Sequence, residues 1–373
     1  MSDCFLPRLG GIEAQVHDIA QVLQGRGHSV VVVTATPTET ETGFSKSRVG
    51  GIPVLRLATS FLGNIPVNPL AGPRLLAAMR GADVVHIHTG LVSPFAWHGL
   101  MLARRHRLPT VVTWHSVVRP TEAAFIPFIR PLTSPGIRHS APSTLVAGQV
   151  QKIIGDHGSV AVIPNGVELS QWRRVARYRS EHPRASRPAE EPFHIVAARR
   201  LAPRKRTLEM LEVTRLAREM SGVEARLTIY GEGPQRAKLE SWIRAHDAAS
   251  WAFLPGRANR EELMAAYAHA DIYLSTSRLE SFGIATLEAR AAGLPVVTPR
   301  GTGADDFLVN GVSGLLGETD HDVAAQLALI LADDGLRGYI SEHNEQVEPA
   351  ETWERVAHLT ENEYAAAISE VRC

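Results

Sequence analysis

Two glutamates, Glu280 and Glu288, enclose seven residues in "LESFGIATLE", and the first runs directly into Ser281, Phe282 and Gly283. The strand-like run before them and the apolar spacing after them predict a helix over about 282–292, with Ser281 as its N-cap. The first-turn N–H groups around Phe282, Gly283 and Ile284 then have no partner within the helix. Such a start favours an anion, and a glycine lets a phosphate come close to the backbone. Ionised carboxylates only accept hydrogen bonds. Glu280 just outside the helix and Glu288 in its second turn therefore suit hydroxyls on either side of that anion, as in a diphosphate with a polyol at each end. Taken alone, either acid is equally what a solvated helix start carries.

A basic cluster, "AARRLAPRKR", follows the strand expected at 193–199. From there Arg199 can reach the same diphosphate bidentately and Lys205 as a point charge, or both can be part of a solvated loop. "YGEGP", with Gly231, and "LPGR" place glycines at two more strand ends, where a simple turn is the alternative. In the first half, Gly10 and Gly11 open a helix and can present N–H groups to an anion, while His115 ends the strand in "TVVTWHS". His86 and His88 share one face of a strand but have no third ligand in view, and the adjacent Asp305 and Asp306 lack a D-x-D spacing. No metal is expected.

These residues need a scaffold that brings strand ends together, and the pattern supplies one. Short β-branched runs at 29–36, 82–90, 110–116 and 160–167 alternate with amphipathic stretches, as in a parallel doubly wound sheet. A second series follows at 193–199, 225–233, 251–257, 270–277, 294–299 and 313–317. Between the two, residues 173–192 are dense in arginine, glutamate and proline and are expected to be an exposed linker. The fold class is therefore α/β, with two Rossmann-like domains at 1–175 and 176–352 and a cleft expected between them. A last amphipathic helix, 353–373, carries Trp353, Val356, Leu359 and Tyr364 for burial on either domain. "MSDCFLPRLGG" enters the first helix with no evident first strand. Loss of a central strand would leave its neighbours' backbones unpaired, so Met1 is expected to lie downstream of the true start.

Composition narrows the function classes. The chain has 373 residues, 44% hydrophobic, with 39 basic and 39 acidic side chains, which fits a globular protein and disfavours a nucleic-acid partner. Cys4 and Cys373 form neither a disulfide framework nor a metal pattern, so a reducing cytoplasm fits. No apolar run approaches the roughly 20 residues that span a bilayer, and the N-terminus does not look like a secretion signal.

The ordered set "LGGIE", "HIH", "TWHS", "IPNGV", "AARRLAPRK", "YGEGP", "LPG", "ESFGIATLE", "AAGLPVV" and "NGVSGLL" resembles the retaining glycosyltransferases of GT-B fold marked by an E-x7-E motif, the large family 4 type. It covers nearly the whole chain, and the first segment is most similar to the phosphatidylinositol glycosyltransferases. The resemblance implies transfer of a hexosyl group from a nucleoside-diphosphate sugar to a hydroxyl of a glycan, lipid or small molecule, with retention and without a metal or other cofactor.

It also implies roles. Glu280 would hold the donor sugar's hydroxyls, the backbone of Ser281, Phe282 and Gly283 the phosphates, and Glu288 the ribose. Arg199 and Lys205 would neutralise the leaving diphosphate, Gly10 and Gly11 would close on it, and His115 would stand at the donor sugar and acceptor side. In this fold the C-terminal helix crosses back onto the first domain. Arg206 departs from the pattern, since the family often has glycine there. A nucleotide-sugar epimerase or phosphorylase of the same fold is the alternative reading. A nucleotide-binding oxidoreductase is more distant, because no G-x-G-x-x-G follows a first strand. The segment 116–138 mixes Phe125, Ile126, Phe128 and Ile129 with Arg119, Arg130 and Arg138, which suits either burial or a peripheral contact with an anionic membrane at its inner face.

Overall fold

The computed structural model describes residues 1–372 except 9, 39–42, 59–67, 134–135, 185–187 and 189. The chain divides into two compact units, one formed by Met1–Gly166 with Glu351–Cys373 and the other by Val167–Ala350. Cys373 and the side chain of Arg372 lie outside the described residues.

The first unit runs α1 (Gly11–Gly25), β1 (Val32–Thr34), β2 (Phe44–Val49), β3 (Ile52–Leu57), α2 (Gly72–Arg80), β4 (Val85–Thr89), α3 (Pro94–Arg105), β5 (Thr110–Trp114), α4 (Ile126–Ile129), β6 (Ile137–Ala141), α5 (Thr144–Ile154) and β7 (Val160–Val162). Strands β4-β5-β6-β7 pair in parallel in that order, and β1-β3-β2 form a second group. Ser2 joins the groups by parallel bridges to Thr34 and His88. Its N–H donates to the Val33 carbonyl at 3.0 Å, and the Met1 carbonyl accepts from the His88 N–H at 2.8 Å. At the position that shows no evident strand in the sequence, Met1 and Ser2 thus partner the backbone of Val33 and His88.

Three strands, β2, β3 and β6, depart from the expected pattern. The antiparallel hairpin β2–β3 turns at Gly50 and Gly51, whose φ angles of 56° and 84° suit a two-residue primed turn. β6 reads Ile-Arg-His-Ser-Ala and is too polar to announce itself, yet it is paired on both sides.

The second unit runs α6 (Leu169–Glu181), β8 (Phe193–Ala198), α7 (Thr207–Ser221), β9 (Ala225–Tyr230), α8 (Arg236–Ala245), β10 (Ala252–Gly256), α9 (Arg260–His269), β11 (Ile272–Leu274), α10 (Ile284–Ala291), β12 (Val296–Pro299), β13 (Leu315–Gly317), α11 (Asp320–Ala332) and α12 (Asp334–Gln346). Its sheet has the order β10-β9-β8-β11-β12-β13, parallel throughout. The order reverses direction between β8 and β11, which is where ligands gather in open α/β sheets.

The expected linker 173–192 is corrected at its start. Residues up to Glu181 belong to α6, and Trp172, Val175 and Ala176 are buried, with the Trp172 ring 5.3 Å from that of Tyr267. The spacing of Leu169, Trp172 and Ala176 is a helical stripe masked by arginines, and this helix places the unit boundary at 166/167 rather than 175/176.

The last helix, α13 (Trp353–Arg372), belongs to the first unit. Trp353, Val356 and Ala357 are buried with Ile19 and Leu23 of α1 and with Ile163. A β-carbon on Gly166 would stand 2.4 Å from the Trp353 ring, so the glycine of "IPNGV" makes room for the tryptophan. Arg26 and Arg138 pair with Glu361 and Glu363, each at 2.8 Å.

Candidate active site

In the second unit the adjacent strands β8 and β11 bring their carboxyl-end loops side by side. Lys205 Nζ from the first loop meets Glu280 Oε2 from the second at 2.7 Å, with both side chains only about a quarter exposed. Beneath them the Arg199 guanidinium donates to Ser275 Oγ at 2.8 Å, to Thr276 Oγ1 at 3.1 Å and to the Lys205 carbonyl at 2.5 Å. Thr276 Oγ1 donates in turn to the Arg206 carbonyl at 2.8 Å. Burial pulls Arg199 down from its ordinary pKa. Its hydrogen bonds tie the two loops together, a positioning arrangement that the sequence did not suggest.

The helix start is also corrected. Gly283, not Ser281, is the N-cap of α10, in a left-handed conformation with φ 100°. The free first-turn N–H groups are therefore carried from Ile284 onward. A left-handed residue immediately before a helix favours glycine, which explains Gly283 without a ligand. Phe282 is buried against Phe307, ring to ring at 5.1 Å, and anchors the loop. The Gly303 N–H donates to the Glu280 carbonyl at 2.9 Å. Glu288 is half-buried on α10 and lies near Tyr267 and Tyr273.

Tyr273 is fully buried near Arg199 and Thr286, and burial raises its hydroxyl pKa to about 12. The Tyr267 hydroxyl is buried with no hydrogen-bond partner among the described residues. Neither tyrosine is marked in the sequence: "ADIYLSTS", with Tyr273, looks like any buried strand, and Tyr267 lies in the helix before it.

Gly231 has a packing reason of its own. With φ 148° it lies against the Arg199 main chain, and its N–H donates to the Gly256 carbonyl at 2.7 Å. Arg206 adopts the left-handed conformation, φ 54° and ψ 44°, that a glycine would take freely. It adds a contact, an ion pair with Asp320.

In the first unit, Gly10 is the N-cap of α1 and Gly11 its first residue. The Glu13 carboxylate folds back onto this helix start, 2.4 Å from where a β-carbon of Gly10 would stand, and it faces Arg8 Nε at 3.5 Å. The free anion-binding N–H groups expected at Gly10 and Gly11 thus already have a carboxylate beside them.

His115 follows β5 and is buried. Its Nε2 lies 2.9 Å from His88 Nδ1, and the two rings stack at 5.2 Å. Burial lowers the His115 pKa to about 4, so the imidazole is neutral at pH 7. The pair His86 and His88 is not arranged for a metal: His86 Nδ1 and Nε2 bond the Tyr364 hydroxyl at 2.8 Å and Thr113 Oγ1 at 2.7 Å. Both histidines are held neutral by burial.

The segment 116–138 divides. Ile129 is buried, whereas Phe125 and Phe128 are 39% and 73% exposed. Arg119 pairs with Glu122, and Arg138 pairs with Glu363 and Glu370, so two of its three arginines are neutralised by neighbours.

This architecture, two parallel α/β units with basic and acidic side chains at the carboxyl ends of adjacent strands, is that of the GT-B glycosyltransferases. Residues 9–171 match the family model "Glycosyltransferase Family 4", and residues 179–347 match "Glycosyl transferases group 1". The chain is 29% identical over 335 residues to a GDP-mannose-dependent alpha-mannosyltransferase of Mycobacterium tuberculosis, covering 86% of this chain and 84% of the relative. It is 24% identical over 373 residues to an alpha-monoglucosyldiacylglycerol synthase of Acholeplasma laidlawii, covering 92% and 90%. Among solved structures, sucrose-phosphate synthase from Thermosynechococcus elongatus superposes with a TM-score of 0.75 at 19% identity, over 96% of this chain and 94% of that one. The chain belongs to the family 4 type of GT-B glycosyltransferases.

Proposed function

We propose that the protein transfers a hexosyl group from a nucleoside-diphosphate sugar to a hydroxyl acceptor with retention at the anomeric carbon. The observation that carries this reading is the Lys205–Glu280 pair, 2.7 Å apart beside the start of α10. A diphosphate entering there exchanges partners with it: Lys205 turns to the phosphates, and Glu280 is released to accept from the sugar's hydroxyls. Glu288 then faces the ribose. The bond from the anomeric carbon to the diphosphate breaks as the acceptor oxygen bonds to the same face, and the acceptor proton passes to the departing phosphate oxygen. Catalysis rests on positioning and on positive charge at the leaving group, with no divalent ion.

The first relative's name favours GDP-mannose as the donor to try first. A lipid acceptor at the inner face of a membrane is supported by the exposed Phe125 and Phe128 and by the second relative, named for a diacylglycerol glycolipid. No described helix is long and apolar enough to cross a membrane.

The test is a thermal-shift screen of nucleotide sugars followed by labelled transfer with EDTA present and absent. One sugar should stabilise the protein and be turned over equally in both. Stabilisation by none, or transfer that EDTA abolishes, would overturn the donor or the metal-free reading respectively. Turnover of labelled donor without any acceptor would favour an epimerase.

A further inference from the structure

Asp320, the first residue of α11, touches both loops that carry the Lys205–Glu280 pair. Its Oδ2 pairs with Arg206, the neighbour of Lys205, and its Oδ1 with Arg278 Nη2 at 3.1 Å, two residues before Glu280. Arg278 Nη1 also donates to the Glu318 carbonyl at 2.7 Å, so this loop is fixed to the start of α11 at two points. The third member, Arg206, holds a left-handed backbone that disfavours a side chain, yet its guanidinium is spent on Asp320 and, at 3.8 Å, on Glu209.

We propose that Asp320 is a positioning residue for donor binding, holding the two loops at a fixed separation through Arg206 and Arg278. This role follows from the geometry of the three contacts and rests on the reading of Lys205 and Glu280 as donor-binding groups. In the ligand-free chain these two side chains hold each other. When a diphosphate takes Lys205 and the sugar takes Glu280, that direct link is lost. The bridge Arg206–Asp320–Arg278 does not involve either side chain, so it keeps the loops in register while they change partners. A glycine at 206 would serve the backbone better but could not make the bridge, which gives a physical reason for arginine in a left-handed position.

The test is titration calorimetry of the full chain with GDP, UDP and ADP, using the one bound most tightly by the unaltered protein. Asp320→Asn and Arg206→Gly should each weaken it roughly fivefold, the scale of a partly exposed ion pair, and the double variant should be no weaker than either. Asp320→Glu should recover most of the loss. Arg206→Gly should melt no lower than the unaltered chain, which separates positioning from stability. Unaltered affinity in both single variants, or losses that simply add, would overturn the proposal. Lys205→Ala, measured alongside, separates the two readings. If it loses binding while Asp320→Asn keeps it, only the bridge fails. If Lys205→Ala binds normally, or no diphosphate binds the unaltered chain, the donor site itself fails and the bridge with it.

Discussion

A β-carbon on Gly231 would stand 1.7 Å from the Arg199 carbonyl oxygen, so the end of β9 and the residue after β8 touch backbone to backbone. Nothing flexible can yield there. Gly231→Ala should push the Arg199 main chain away and loosen its bonds to Ser275 and Thr276. Overpacking of this kind costs roughly 1–3 kcal/mol. Thermal denaturation should show a drop of several degrees, with weaker binding of the nucleotide sugar. A variant as stable as the unaltered chain would mean that the contact relaxes without consequence.

The Lys205–Glu280 ion pair is a different kind of interaction. With the two side chains 24% and 21% exposed, solvent screens it, and its contribution to stability is on the order of 1 kcal/mol. Glu280→Ala and Lys205→Ala should therefore barely move the melting temperature while abolishing most transfer. Activity assays beside melting curves check this, and near-normal turnover in either variant would refute the donor-site roles.

The sequence exposed the series of strands in the second unit because they are short apolar runs, of which β11, β12 and β13 are buried throughout. Glu280 and the cations were legible for a related reason: they follow strand ends, where the turn residues show. α6 was masked by its arginines, of which Arg173 and Arg179 bond backbone carbonyls of the same unit, and β6 by a polar sequence whose His139 and Ser140 are buried in hydrogen bonds. Arg199, expected at the diphosphate, also joins the two loops, which its place in the sequence does not announce. Asp320 could not be found at all, because nothing local says that a residue 40 positions beyond Glu280 returns beside it.

Trp353 over Gly166 makes the C-terminal helix part of the first unit's core. Truncating a buried tryptophan costs about 3–5 kcal/mol. Trp353→Ala should lower the denaturation midpoint of that unit accordingly. Gly166→Ala should do much the same from the other side, since its new methyl would meet the ring and disturb the Gln15 bonds to Gly166 at 3.2 and 3.3 Å. Combined, the two changes should be less than additive, because alanine at 353 clears the space that alanine at 166 needs. Fully additive losses by chemical denaturation would show that the two positions act separately.

The buried histidines make stability fall with acid, and the direction can be worked out group by group. In the unfolded chain a histidine takes up its proton near pH 6.5, but burial holds His115 and His139 neutral in the fold down to about pH 4. Between those values the unfolded state binds more protons, so the contribution of these two histidines is lost as pH falls through the window and is complete above about 7. His86 and His88 act in the same direction. Asp3 opposes them: burial raises its carboxyl to about 6 from an ordinary 3.8, so between these values the fold keeps a proton that the unfolded chain releases. Each group contributes about 1.4 kcal/mol per pH unit inside its window, so Asp3 offsets roughly one histidine. A net loss remains between pH 6.5 and 4. Denaturation midpoints at pH 7, 5.5 and 4.5 should decline steadily, and His115→Gln and His139→Asn should each flatten that decline whatever they do to stability at pH 7. A slope that neither substitution changes would place the acid sensitivity on other groups.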